Sequence, residues 1–140
     1  MASLTKTAQD HTWDIADVII EIDGVALDLA TTGDLFTCSF DQDNITISVD
    51  VWGNGMRVIN HNAEATITVN SSRMSNMWRK FLKNENNERL AEHKINILTP
   101  MERITSSSAS FVKIPDLNAG NEAPTVAMQF KCIRADAAAA

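Results

Sequence analysis

The side chains able to do chemistry are few and scattered. His11, His61 and His93 lie far apart in the chain. None stands at a metal-ligand spacing from another His, Cys or carboxylate, so the pattern predicts no metal site. Cys38 and Cys132 sit in strand-like contexts. A disulfide between them is open, but small buried apolar residues in a reducing cytoplasm is the simpler reading. Either thiol could in principle meet His61 or His93 as a nucleophile pair, yet nothing in the spacing supports it. The carboxylates Asp41 and Asp43 fall in a turn, and Asp50 and Glu64 fall on polar strand faces. A paired-acid hydrolase would need two of them at controlled separation in a cleft. A solvated polar face is the expectation. No glycine-rich phosphate loop and no nucleophile elbow is present, so neither catalysis nor a cofactor is expected.

The elements that carry these residues are mostly strands. At 140 residues the chain fits a single domain, 1–140, able to bury a sizeable core. Its net charge of −6 argues against a surface built to grip nucleic acid. MASLTKTAQDHTWD has no apolar core of a signal peptide, and no run is long enough to span a membrane. Residues 1–11 read as a polar arm, flexible or ordered by a neighbouring subunit, and 135–140 as a frayed tail. Val18, Ile20 and Ile22 alternate as a strand, Asp23-Gly24 signals a two-residue turn, and Val25–Leu29 returns. Leu35–Phe40 is a third strand.

The cleanest period-two pattern follows. Ile45, Ile47, Val49 and Val51 alternate with Thr46, Ser48, Asp50 and Trp52, which predicts one core face and one polar face. Gly53-Asn54-Gly55 turns the chain, Met56–Asn60 returns, and Asn60-His61-Asn62 is a second turn signal. Ala63, Ala65, Ile67 and Val69 then share a face opposite Glu64, Thr66 and Thr68. The period switches to 3.6 at Met74, Met77, Trp78, Phe81 and Leu82, predicting one helix over about residues 72–84, capped by Asn70, Ser71 or Ser72. His93–Leu98, a serine-rich strand over Arg103–Ile114 with an exposed or bulged middle, a loop at 115–124 and a strand over Thr125–Ile133 complete the chain. The expected fold is mainly β: an antiparallel sandwich or barrel-like subunit with a long hairpin and one flanking helix.

The segments TWDIADVIIEIDG, FDQDNITISVDVWGNGMRVIN and NAEATITVNSSRMSNMWRKFL, in that order, resemble the tail tube proteins of contractile-tailed bacteriophages. Trp13, Asp41, Asp43, Gly53, Gly55, Arg57, Thr66, Thr68, Asn70 and Ser71 carry the likeness, which spans about residues 12 to 134. The resemblance implies a non-enzymatic subunit that closes into hexameric rings. These stack into a hollow tube within a sheath, assembled in the host bacterial cytoplasm and carried in the virion tail. It implies as partners other copies of the chain, the sheath, the baseplate and the tail terminator. DNA would pass through the channel without specific binding. Six copies at −6 each would carry about −36, which repels phosphate and lets DNA slide.

On this reading Thr46, Ser48, Asp50, Glu64, Thr66 and Thr68 line the channel. Trp52, Met56 and Ile59, near an apolar hairpin tip, make the subunit or ring contact. Arm 1–11 and loop 115–124 are candidate inter-ring or sheath-facing segments. The tube of a phage-tail-like bacteriocin or secretion machine fits the same features. A β-sandwich module binding carbohydrate or peptide is the competitor from a different class. It would cluster its aromatics on one face, whereas Trp13, Trp52 and Trp78 lie in separate elements and the chain has no Tyr.

Overall fold

A computed structural model describes residue 8 and residues 10–140. Residues 1–7 and 9 of the expected arm lie outside the described residues. The strands in chain order are β1 (Ile19–Ile22), β2 (Val25–Ala26), β3 (Phe36–Phe40), β4 (Ile45–Val49), β5 (Gly55–Ile59), β6 (Ala65–Ser72), β7 (Glu92–Leu98), β8 (Glu102–Phe111), β9 (Thr125–Cys132) and β10 (Asp136–Ala139). One helix, α1 (Asn76–Lys83), follows β6. No helix among the described residues is long and apolar enough to cross a membrane.

Eight strands form one antiparallel sheet in the order β2-β1-β7-β8-β9-β6-β3, with β10 paired to β8. Alternate residues of β1, β6, β7 and β9, and several of β8, point inward to a single core that includes Ile20, Ile67, Ile97, Met128 and Phe130, whereas β2 and β10 are exposed throughout. The sheet curls, and the segment after β2 crosses to its far edge, where Ala30 bridges Ser71 and Leu29 O accepts from Ser72 N. The fold is the expected mainly antiparallel β unit with one helix.

The Asp23-Gly24 turn forms as its residue types dictate. Both residues take positive φ, 54° and 81°, the conformation a primed two-residue hairpin needs. Helix α1 packs Met77, Trp78 and Phe81 against the core, while Met74 and Leu82 of the expected stripe stay exposed. It starts later than about residue 72, because β6 keeps pairing with β9 through Ser72. The cap is therefore Ser75, whose Oγ accepts from Trp78 N, and not Asn70, Ser71 or Ser72. At the other end Asn84 takes the left-handed conformation, and the Arg89 guanidinium donates to Phe81 O and Leu82 O.

The serine-rich strand β8 resolves into a bulge. Its register with β7 shifts between His93 and Ile95. The chain leaving β9 loops at 133–135 before resuming along β8 as β10. Ser106 and Ser108 fill the gap: both hydroxyls donate to Arg134 O, and Arg134 N donates to Ser108 Oγ. Residues 136–139, expected within a frayed tail at 135–140, are paired in register with Glu102–Thr105. The free N–H and C=O groups of β8 make even an alanine run worth pairing.

Cys38 and Cys132 both face the core with free thiols. β6 lies between their strands, so two sheet spacings, about 9.6 Å, separate them. That is beyond disulfide reach.

Candidate functional site

The β3-to-β6 segment does not fold as strand, turn, strand, turn, strand. β3 pairs with β6 and β4 pairs with β5, so β3–β4 and β5–β6 are the two arms of one long ribbon. Its base belongs to the sheet and its outer half, β4–β5, is a separate two-stranded unit. The joint holds residues 41–44 on one arm and 60–64 on the other, so one arm carries an extra residue. Asn60-His61-Asn62 is thus not a chain reversal. Asn60 Oδ1 accepts from Asn62 N, and Asn62 Oδ1 accepts from Glu64 N. These side chains satisfy backbone donors where ladder pairing lapses. Asp41 and Asp43 likewise lie in this joint and not in a reversing turn; Asp41 accepts from Thr66 Oγ1 and pairs with Lys131 at 3.0 Å.

Every residue of β4 and β5 is exposed. The expectation that Ile45, Ile47, Val49 and Val51 form a core face is corrected here: Ile47 is 71% exposed and Val51 92%. The outer ribbon is a two-stranded unit apart from the main sheet, and among the described residues no layer covers it. Ile45 and Ile47 stand opposite Ile59 and Arg57, while Thr46 and Ser48 stand opposite Val58 and Met56. Both faces of the ribbon therefore carry apolar side chains.

The tip is held rigidly. Asp50 Oδ1 accepts from Trp52 N and Asn54 N, and Oδ2 accepts from the Asn54 amide. These bonds, the Asn54 backbone N–H first, hold the Asp50 carboxyl below the usual carboxylate range. Gly53 supplies the positive φ the turn requires. Trp52 ends up 84% exposed on a preformed turn, with Met56 and Ile59 exposed on β5.

Of the proposed channel residues, Thr46, Ser48 and Asp50 lie on the ribbon and its tip, all exposed. Glu64, Thr66 and Thr68 lie at or beyond the joint, half-buried. Thr66 and Thr68 share the outward face of the main sheet with Ser39 and Thr37 on one side and Lys131 and Gln129 on the other. Ala65, Ile67 and Val69 between them are fully buried, as their period predicts. The structure thus splits the six into two groups on different sheets, with Asp50 acting as the turn's hydrogen-bond acceptor.

The chemically able groups are otherwise engaged. His93 is buried, with Nδ1 2.6 Å from Asp23 Oδ2 and Nε2 2.6 Å from Glu88 O. Each ring nitrogen thus has an oxygen partner. This network ties the β1–β2 turn and the loop after α1 to β7, and nothing in the residue spacing announces it. Burial alone would raise the Asp23 pKa. The hydrogen bonds from His93 and Lys94 N, with the charges of His93 and Lys80, outweigh burial and lower it. A depressed carboxylate pKa contributes stability above its unfolded value of 3.8 that is lost as pH falls through the folded value. Urea midpoints measured from pH 7 down to pH 2 are therefore expected to fall less steeply in Asp23→Asn than in the parent. Parallel profiles would show that Asp23 carries no linkage. Burial pushes both cysteine thiols up, away from nucleophilic use. Among the described residues no group of three His, Cys, Asp or Glu side chains gathers to hold a metal ion.

No family model matches the sequence, and no curated protein matches it. Solved structures do. The chain is similar to one from the cap that terminates the anti-feeding prophage tube, at TM-score 0.66 and 13% identity, covering 97% of each chain. It is similar to one from the sheath/tube terminator of the PVC extracellular contractile injection system, at TM-score 0.65 and 11% identity, covering 94% of this chain and 99% of the other. A chain from the sheath-tube complex of that system matches at TM-score 0.61 and 13% identity, covering 94% of each. At such identities the likeness is one of fold, shared over 94–97% of the chain with chains from contractile injection particles.

Proposed function

We propose that this protein is a structural subunit of a contractile tail-like particle, assembling with copies of itself into rings that stack as a hollow tube, with no catalytic role. The observation that carries the proposal is the outer ribbon. A two-stranded hairpin alone is at best marginally stable in water. Here one presents Ile47, Val49, Val51 and Trp52 to solvent, a run that a soluble monomer has no reason to keep. Docked on a neighbouring subunit, those side chains become interface core. The shared fold with chains from sheath, tube and terminator assemblies supports the same role. Trp52, Met56 and Ile59 make the subunit or ring contact. Thr46, Ser48, Asp50, Glu64, Thr66 and Thr68 face the lumen, where hydroxyls and carboxylates on an acidic subunit let DNA slide without binding. The sheath, baseplate and terminator are the other partners, in a phage tail or in a related bacteriocin or secretion particle.

A second reading is the tube's terminator. It is favoured by two of the three likenesses, which come from a terminating cap and a sheath/tube terminator. Electron microscopy of the purified protein separates the readings. Hollow tubes that lengthen with concentration support the tube subunit, and single or double rings that never elongate support the terminator. A persistent monomer would overturn both and favour a β-sandwich ligand-binding module.

A further inference from the structure

We propose that Asn54, at the ribbon tip, is a site of spontaneous modification, its carboxamide lost to attack by the Gly55 backbone nitrogen. The chemistry stands on the turn alone, and its effect on assembly rests on the role proposed for Trp52. Asn54-Gly55 is the one Asn-Gly pair in the chain. Attack within a dipeptide is intramolecular, so it is limited by bulk on the attacking residue and by engagement of the reacting groups. Both residues are exposed, and the space where a Gly55 Cβ would stand has no atom within 4 Å. The freedom of the Gly55 N–H follows from register. Asp50 N donates to Asn54 O, and Asn60 N donates to Asn44 O. Along this antiparallel ladder hydrogen-bonded and non-bonded pairs alternate, which makes Val49 and Gly55 a non-bonded pair. The Gly55 N–H therefore points away from β4, and β5 has no second strand partner among the described residues. The Asn54 carboxamide makes one side-chain hydrogen bond among the described residues, 3.1 Å to Asp50 Oδ2.

The step is balanced without a co-reactant other than water. Gly55 N bonds to Asn54 Cγ, the Cγ–Nδ2 bond breaks, and the Gly55 amide proton leaves with Nδ2 as ammonia. Water then opens the succinimide. Opening at Cγ leaves an aspartate; opening at the backbone carbonyl carbon leaves an isoaspartate, whose main chain is longer by a methylene. The aspartate sets a carboxylate where Nδ2 had donated, facing the Asp50 carboxylate at hydrogen-bond range. Asp50 also accepts from Trp52 N and Asn54 N, so the repulsion strikes the network that displays the indole. A tip docked on a neighbour is shielded from water, so conversion falls on subunits still free. Asp23-Gly24 offers the analogous loss of water but is held back. Its Oδ2 lies 2.6 Å from His93 Nδ1 and its Oδ1 accepts from Lys94 N.

Peptide mapping by mass spectrometry, on protein kept unassembled at mildly alkaline pH, tests the site. Asn54 is expected to convert about tenfold or more faster than Asn118 and Asn121, exposed asparagines followed by Ala119 and Glu122, while Asp23 stays unmodified. Gly55 lies outside the left-handed region and has open space around it, so valine fits there. Gly55→Val is expected to slow conversion by about tenfold or more, because Cβ branching crowds the attacking nitrogen. Conversion no faster than at Asn118 and Asn121, or undiminished by Gly55→Val, would overturn the site. Asn54→Asp reproduces one product directly. It is expected to raise the concentration needed for assembly by about tenfold or more, through loss of a hydrogen bond to a charged group. Asn54→Asp that assembles like the parent, where Trp52→Ala does not, would overturn the effect on assembly and leave the ribbon reading standing. Both variants assembling like the parent would instead overturn the ribbon reading, with the mapping alone deciding the site.

Discussion

Trp52→Ala is expected to raise the concentration needed for assembly by about thirtyfold or more while leaving the monomer's fold and melting temperature almost unchanged. The two halves of that expectation have one cause. Trp52 is 84% exposed on a turn organised by the Asp50 carboxylate and Gly53, so in the monomer its indole touches little. Substitutions at such positions usually fall within about 0.5 kcal/mol of neutral. In the ring contact proposed above, the same indole is the anchor, on a turn already ordered by Asp50. Truncating a central Trp of an interface costs about 2–4 kcal/mol, with about 1.4 kcal/mol per tenfold in concentration. Turbidity and electron microscopy across a concentration series, beside a thermal melt, read both quantities. Assembly at the parent's concentration would remove Trp52 from the contact.

Phe130→Ala is expected to do the opposite, lowering stability by about 3–5 kcal/mol. Phe130 is fully buried on β9, with its ring centroid 5.6 Å from both Phe81 and Phe111 and edge-on to each. Phe81 and Phe111 stack at 4.7 Å, joining α1 to β8. Removing Phe130 leaves a cavity walled by rings that cannot collapse into it, and forfeits aromatic pairings worth about 0.5–1.5 kcal/mol each beyond area. Against a typical total of about 5–15 kcal/mol the loss is large, and urea titration measures it directly. A loss below about 1 kcal/mol would mean that the aromatic cluster does not hold helix to sheet. Ile47→Ala, equally apolar on paper, is expected to leave the monomer's midpoint unchanged.

That contrast shows how far the residue pattern reaches. Ile45, Ile47 and Val49 alternate as cleanly as Ala65, Ile67 and Val69, yet the first three are exposed and the last three fully buried. Period two states which side chains share a face of a strand and nothing about what covers that face. The candidate assembly residues were legible as a polar and apolar patterned block. The exposure that makes the ribbon a candidate interface was not, because it follows from the ribbon being a unit apart from the main sheet.

Local chemistry was legible wherever a few neighbouring residues settle the matter. Asp23-Gly24 makes its turn, Val126, Met128, Phe130 and Cys132 line the core, and Met77, Trp78 and Phe81 bury one helix face. The sequence by itself determined these, since turn conformation and the facing of side chains depend on residues within a turn or two. Only the tertiary structure decided the rest. It made 60–62 a joint instead of a reversal and moved the helix cap to Ser75. It also recruited the alanine tail as β10, and set His93 between Asp23 and the carbonyl of Glu88. Each of these depends on which backbone groups elsewhere still need partners once the sheet has curled, a demand that distant strands impose together.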